Sequence, residues 1–332
     1  MASKCCGLDV HKKEIVATVE GDGISKETRS FSSTTRLLSE LKDWLLELGI
    51  THVAMESTGV YWKPVLNILE PGGFSILVVN ARHIKYVPGH KTDKKDSAWI
   101  CKLLRAGLLK GSFIPNQSQR DLRDLTRYRR KLVQNLASEH NRLIRIFKDA
   151  NLKLSSVFSD VTGKTRTTVI DNVIAGNTEP ESLASLCTHW RLKSTQGEIA
   201  LAVEGKFREH HKFMLRAIRR SIEHLADEIK ELDAEIGRRM QPFEEEISRL
   251  CQIPGISMTS ARDLLAEIGV DMEVFPSAAH LASWAGVSPG NNESAGKKKL
   301  THEPRQQADE SGDYRMRLGC EPDKEHILLT TL

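Results

Sequence analysis

Four carboxylates between Cys5 and Asp96 fall at the ends or entrances of short regular segments, and this placement constrains the fold more than any other feature of the sequence. Asp9 follows the apolar run Cys5-Cys6-Gly7-Leu8, after which His11-Lys12-Lys13 turns the chain into the alternating Ile15-Val16-Ala17-Thr18-Val19. A short polar turn between two such runs predicts a β-hairpin with the acid in its first strand. Glu56 closes a second apolar run, and Ser57-Thr58-Gly59 leads from it to a helix predicted from Tyr61. An acid at a strand's carboxyl end faces the crevice in which α/β sheets bind ligands. Asp93 and Asp96 stand three residues apart at the entrance to the helical pattern Ala98, Trp99, Ile100, Cys101, Leu103 and Leu104, a spacing that aims both at one face. Converging acids repel one another unless a cation lies between them, and hard divalent ions such as Mg²⁺ are the ordinary solution. Two such ions clamp a phosphodiester for in-line displacement. Taken singly, each acid reads as a solvated surface group; the set carries the inference.

The remaining segments of this half follow the same logic. Glu27 to Phe31 reads as a third strand, and Thr34 can cap a helix whose Leu37, Leu38, Leu41, Trp44, Leu45 and Leu48 repeat at helical spacing. A helix through Val65 to Leu69, a Gly72-Gly73 break and the apolar strand Ser75 to Val79 complete a mixed α/β pattern. The 332 residues, 39% of them hydrophobic, are enough for two domains or more, and no apolar run is long enough to cross a bilayer. Charge interrupts the N-terminus at Asp9 and Lys12, so no signal peptide is expected and the default location is cytoplasmic. The six cysteines lack the paired spacing of a zinc site or a disulfide framework and are expected to be reduced core residues.

Net charge is only +4, so distribution decides what the cations imply. Arg82, Lys85, Lys91, Lys94 and Lys95 crowd the turn-rich segment beside the last two acids, where they are expected to meet phosphates. Ser118 to Leu152 reads as one long helix with a leucine seam and an arginine-rich remainder; from Arg123, Arg127, Arg130 and Lys131 a nucleic-acid contact is expected. Residues 155–205 give little pattern. A second long helix, from about Lys206 to Ile247, carries Leu215, Ile218, Ile222, Leu225, Ile229, Leu232 and Ile236 as a heptad seam, open to pairing with the first helix or with its own copy. Pro254-Gly255 then turns into a helix from Thr259 to Gly269, a hairpin of helices able to hold a phosphate but also common as plain packing.

Gly7-Leu8-Asp9-Val10-His11-Lys12, Met55-Glu56-Ser57-Thr58-Gly59-Val60-Tyr61, Val79-Asn80-Ala81-Arg82 and Lys91-Thr92-Asp93-Lys94-Lys95-Asp96 together resemble the transposases of the insertion sequence 110 family. The likeness resumes at 251 and runs to Lys299. It implies an α/β plus α fold: a ribonuclease-H/RuvC-like domain over 1–115, long coiled-coil helices of a linker or dimerisation region over 116–250, a small helical C-terminal domain over 251–299, and a divergent tail over 300–332. Three strands, a helix, then alternation is the order expected of the ribonuclease-H type.

The resemblance further implies that Asp9, Glu56, Asp93 and Asp96 bind Mg²⁺ (or Mn²⁺) and that Ser294 is the nucleophile, joined covalently to DNA, with Lys297 and Lys298 available for phosphate. The implied partners are DNA, a structured guide RNA encoded by the element, and further copies of the chain as a homodimer or dimer of dimers, with the two sites meeting between protomers; no membrane is involved. After Lys299 the sequence departs from the family's basic helix into a polar, partly acidic stretch. Two alternatives stand beside the transposase: a RuvC-like junction nuclease in which water attacks, and an inactive nucleic-acid-binding remnant.

Overall fold

The computed structural model describes residues 4–57, 59–80, 96–153, 164–187, 194–285, 293–294 and 297–298. Five strands, β1 (Lys4–Val10), β2 (Glu14–Gly21), β3 (Ile24–Ser32), β4 (His52–Glu56) and β5 (Ser75–Val79), make one mixed sheet in the order β3-β2-β1-β4-β5. β1, β2 and β3 form an antiparallel meander, whereas β4 runs parallel to β1 and β5 parallel to β4. This is the expected order of three strands, then alternation through α1 (Thr35–Glu47) and α2 (Trp62–Leu69).

Alternation along the strands divides the core in two. Cys6, Leu8, Ile15, Val53 and Met55 point to the face covered by Leu38, Leu41, Leu45, Val65 and Leu69 of α1 and α2. Cys5, Ala54 and Val79 point to the other, where α3 (Asp96–Arg105) lays down Ile100, Cys101, Leu103 and Leu104. Leu8, Ile15 and Met55 are wholly buried, each worth about 1.5–3 kcal/mol of transfer free energy. Four cysteines, Cys5, Cys6, Cys101 and Cys187, are buried free thiols, as expected, and Cys251 is half-buried. After α3 the chain returns extended along the β5 edge, where the Ser112 amide donates to the Val78 carbonyl at 2.8 Å.

The chain divides into two compact units, one joining 1–117 to the segment that begins at Asp271, the other starting at Ser118 and running to Val270. The second unit is helical. α4 (Gln117–Asp149) is a single long helix, close to the expected span. The region that gave little pattern holds α5 (Lys164–Ala175), α6 (Pro180–Ser185) and α7 (Gln196–Val203). They pack Val169, Ile170, Val173, Leu183, Ile199 and Val203 against Leu143 and Phe147 of α4 and Leu215 and Ile218 of α8 (Glu209–Met240).

The second long helix is shorter than expected because Pro242, which cannot donate to the helical ladder, breaks it into a single tight turn before α9 (Glu244–Cys251). Its apolar seam is buried at Leu215, Ile218, Ile222 and Ile236, and half-buried at Leu225, Ile229 and Leu232. α10 (Met258–Ile268) begins where Ser257 accepts from the Ser260 amide at 3.2 Å and ends at Gly269, whose φ of 77° suits glycine. Back in the first unit are α11 (Ala278–Trp284) and the two-residue strands β6 (Glu293–Ser294) and β7 (Lys297–Lys298). Among the described residues no helix is long and apolar enough to cross a membrane.

Candidate active site

Strand register and the approach of one helix bring three of the acids to the same face. Leu8 of β1 is paired with Met55 of β4, so Asp9 and Glu56 follow one step further along neighbouring parallel strands. Alternation puts Asp9 on the side of Gly7 and Glu56 on the side of Ala54, the side α3 covers. Gly7 allows the helix to come so near. A methyl group there would lie 2.2 Å from the Ser97 carbonyl oxygen and 2.3 Å from the Cys101 backbone nitrogen, separations that no carbon atom tolerates.

Thr18, paired with Gly7 across the hairpin, fastens the same helix start: its hydroxyl lies 2.8 Å from Ser97 Oγ and 2.9 Å from Thr28 Oγ1. Further along α3 the Cys101 thiol donates to the Cys5 carbonyl at 3.5 Å, and Arg105 reaches Glu20 and Asp22 at 3.0 Å each. Asp96, the first residue of α3, is exposed at the helix N-terminus, where the helix dipole favours a negative charge.

The electrostatics of Asp9 register its neighbours. Its side chain is 16% exposed, and burial holds the carboxyl above its ordinary value. The facing His11 ring works against that rise, through its charge and through a 3.0 Å contact between His11 Nε2 and Asp9 Oδ2, while the charges of Asp96 and Glu56 add to it. His11 itself is 63% exposed, on a hairpin turn closed by its own amide donating to the Glu14 carbonyl.

Oxygen donors on one face, one of them disfavoured in its charged form by burial and, further, by two nearby acids, suit a hard divalent cation. Among the described residues, however, no group of three or more His, Cys, Asp or Glu side chains is arranged closely enough to hold a metal ion. Asp93, with Arg82, Lys85, Lys91, Lys94 and Lys95, lies outside the described residues. Ser294 is placed by its backbone in β6, opposite Lys297, with Glu293 opposite Lys298, in the same compact unit as the three acids.

The arginines of α4 have partners that their own helix does not reveal. Arg127 Nε and Nη2 each lie 2.8 Å from a Glu267 carboxylate oxygen, a two-point pair, and Arg123 donates to the backbone carbonyls of Ala266 and Glu267. Burial lowers the Arg123 pKa to about 10, against the pull of Glu267, which leaves it charged at neutral pH. Arg130 meets Asp263 at 3.1 Å and Arg129 meets Asp233 at 2.5 Å. The acids that meet these arginines lie on α8 and α10, outside the helix that carries them. Lys131 is exposed.

Because the Glu267 side chain is only 6% exposed, Glu267→Gln should cost about 2 kcal/mol, against well under 1 for the exposed Arg29–Glu27 pair. Urea unfolding measures this, and a loss below about 0.5 kcal/mol would mean that water already screens the cluster. No local sequence signal identified these partners, which lie 104 or more residues away, nor the Thr18–Ser97 pair, 79 residues apart; a hydroxyl at an otherwise apolar strand position was a local hint only of the second.

A family profile described as Transposase, of the DEDD class of insertion sequence 110, matches residues 6–151. A second, described as Transposase IS116/IS110/IS902 family, matches residues 247–312. Among curated proteins, the pilin gene-inverting proteins of Moraxella bovis and Moraxella lacunata are each 36% identical to this chain over 123 residues. The match takes in 32% of this chain and spans only 38% of the length of those relatives. The Thermus thermophilus RuvC structure aligns over 33% of this chain and 99% of its own, at 15% identity and a TM-score of 0.26.

Proposed function

As the chain belongs to the insertion sequence 110 family of transposases, whose two profiles together span well over half of it, we propose that it cleaves and rejoins DNA strands as a transposase or recombinase. One observation supports this most: Asp9, Glu56 and Asp96 lie on one face of a mixed sheet, at the carboxyl ends of two parallel strands and the start of α3. With Asp93 they are the residues that would hold Mg²⁺ or Mn²⁺. Such ions supply neutralising charge and in-line orientation at the scissile phosphodiester. His11 orients the Asp9 carboxylate through its 3.0 Å contact.

Ser294 is the proposed nucleophile. Its Oγ forms a bond to phosphorus while the bond from phosphorus to the leaving deoxyribose oxygen breaks; the serine gives up its proton and the leaving oxygen gains one. Rejoining reverses this with a different deoxyribose hydroxyl. Lys297 and Lys298, on the strand opposite, supply phosphate contacts, as do Arg82, Lys85, Lys91, Lys94, Lys95 and the exposed Lys131.

Arg123, Arg127 and Arg130 carry less of that surface, since acids of the same unit already engage them. Sequence choice is assigned to a guide RNA encoded by the element, through base pairing rather than side chains. A homodimer or dimer of dimers completes the proposal, paired along the half-buried Leu225, Ile229 and Leu232 of α8.

The decisive experiment incubates the protein with Mg²⁺, RNA transcribed from the element's flank and end-labelled DNA, and resolves the products on a denaturing gel. The wild type should give a covalent protein–DNA adduct, and Ser294→Ala none. Cleavage without an adduct in both proteins would replace this proposal with a junction nuclease that uses water. Absence of cleavage in the wild type with either metal would leave a nucleic-acid-binding remnant.

A further inference from the structure

We propose that Phe113, Phe275 and Trp284 form a docking joint that ties the segment leading to Ser294 to the acid-bearing sheet, and that they act as positioning residues; this rests on Ser294 being the nucleophile. The three rings meet pairwise, with centroids 5.5 Å apart for Phe113–Phe275, 5.6 Å for Phe275–Trp284 and 6.4 Å for Phe113–Trp284, at tilted and edge-on angles. Aromatic pairs favour these separations and angles because the rim of one ring faces the electron-rich face of the next. Aromatic residues make up only 5% of the chain, so three converging from two distant segments mark a built contact.

Phe113 is anchored on the sheet. Leu109 packs on the α3 face, Ile114 packs on the opposite face, and between them the Ser112 amide bonds to Val78. Val79, the next residue, is paired with Glu56 and accepts from the Ser57 amide at 2.9 Å. A continuous set of strand pairings therefore links the acid-bearing end of β4 to Phe113. On the other side, Phe275 follows a single helical turn in which the Glu273 amide donates to Asp271 Oδ1 at 3.0 Å, and Trp284 is the last residue of α11.

Trp284 is 37% exposed, so its ring serves contact more than core filling. Ser294 stands ten residues beyond it in sequence, so the two lie no more than about 36 Å apart. Holding Trp284 beside the sheet limits the volume within which Ser294 can lie, and freeing Trp284 enlarges that volume. The joint thus controls how often the hydroxyl reaches reacting geometry and leaves affinity for DNA alone.

The test uses the full chain. Phe113→Ala and Trp284→Ala are expected to lower the rate of adduct formation at saturating DNA by about 10- to 100-fold with KM for DNA unchanged. Phe113→Tyr and Trp284→Phe should restore most of the rate. Hydrogen exchange of amides 278–284 should quicken about tenfold in Phe113→Ala, with the exchange of β1 and β4 unaltered. Unchanged exchange at 278–284 in Phe113→Ala, or a rise in KM with the saturated rate intact, would overturn the joint. Loss of the adduct in Ser294→Ala, measured in parallel, tests the nucleophile separately, because the exchange measurement does not depend on chemistry.

Discussion

Replacing Asp9 with asparagine should reduce metal-dependent strand cleavage by on the order of a thousandfold, equivalent to about 4 kcal/mol of barrier, while making the metal-free protein more stable. The two halves of this expectation have one cause. In the fold the Asp9 carboxyl is held above its ordinary value of 3.8, first by burial and further by Asp96 and Glu56, so its ionised form is disfavoured. A raised folded value means that the stability this group contributes is fully present below the unfolded value and is lost as pH rises through the folded one. At neutral pH in EDTA, Asp9→Asn should therefore melt at a higher temperature than the wild type, and the gap should close as pH falls below about 3.8. Mg²⁺ should raise the wild-type melting temperature and leave that of Asp9→Asn nearly unmoved. Equal melting temperatures in EDTA would show that the Asp9 charge is not disfavoured, and the case for a cation site would fall with it.

The second large effect belongs to a residue without a side chain. Gly7→Ala should cost at least about 3 kcal/mol, the upper end of ordinary overpacking, because the atoms it meets are backbone and cannot rotate away. α3 must shift outward, which breaks the buried Thr18–Ser97 hydroxyl pair and carries Asp96 away from Asp9. Urea unfolding should report the destabilisation, and cleavage by the surviving folded fraction should fall with it. A folded Gly7→Ala protein of wild-type stability and activity would mean that the helix does not need to lie against the strand there.

Much of this was readable in advance because it is local and periodic. The hairpin around Asp9, the strand closed by Glu56 and the amphipathic α1 announce themselves through spacings of two and of three or four. What stayed hidden depends on partners remote in sequence. Short helices such as α6 and α7 hold too few turns for a periodic signal, although Thr195-Gln196-Gly197-Glu198 is a reciprocal cap that marks the start of α7. The role of Gly7 was invisible for the same reason: a glycine in a strand signals that something comes close, without saying what. The arginines of α4 looked unpartnered because Asp233, Asp263 and Glu267 lie about a hundred or more residues further on.

Those ion pairs also bear on how the protein can be taken apart. A fragment ending near residue 250 would remove Asp263 and Glu267, the carboxylates that pair with Arg123, Arg127 and Arg130. Any dissection that keeps α4 must keep α10 with it, so the helical unit extends to about residue 270.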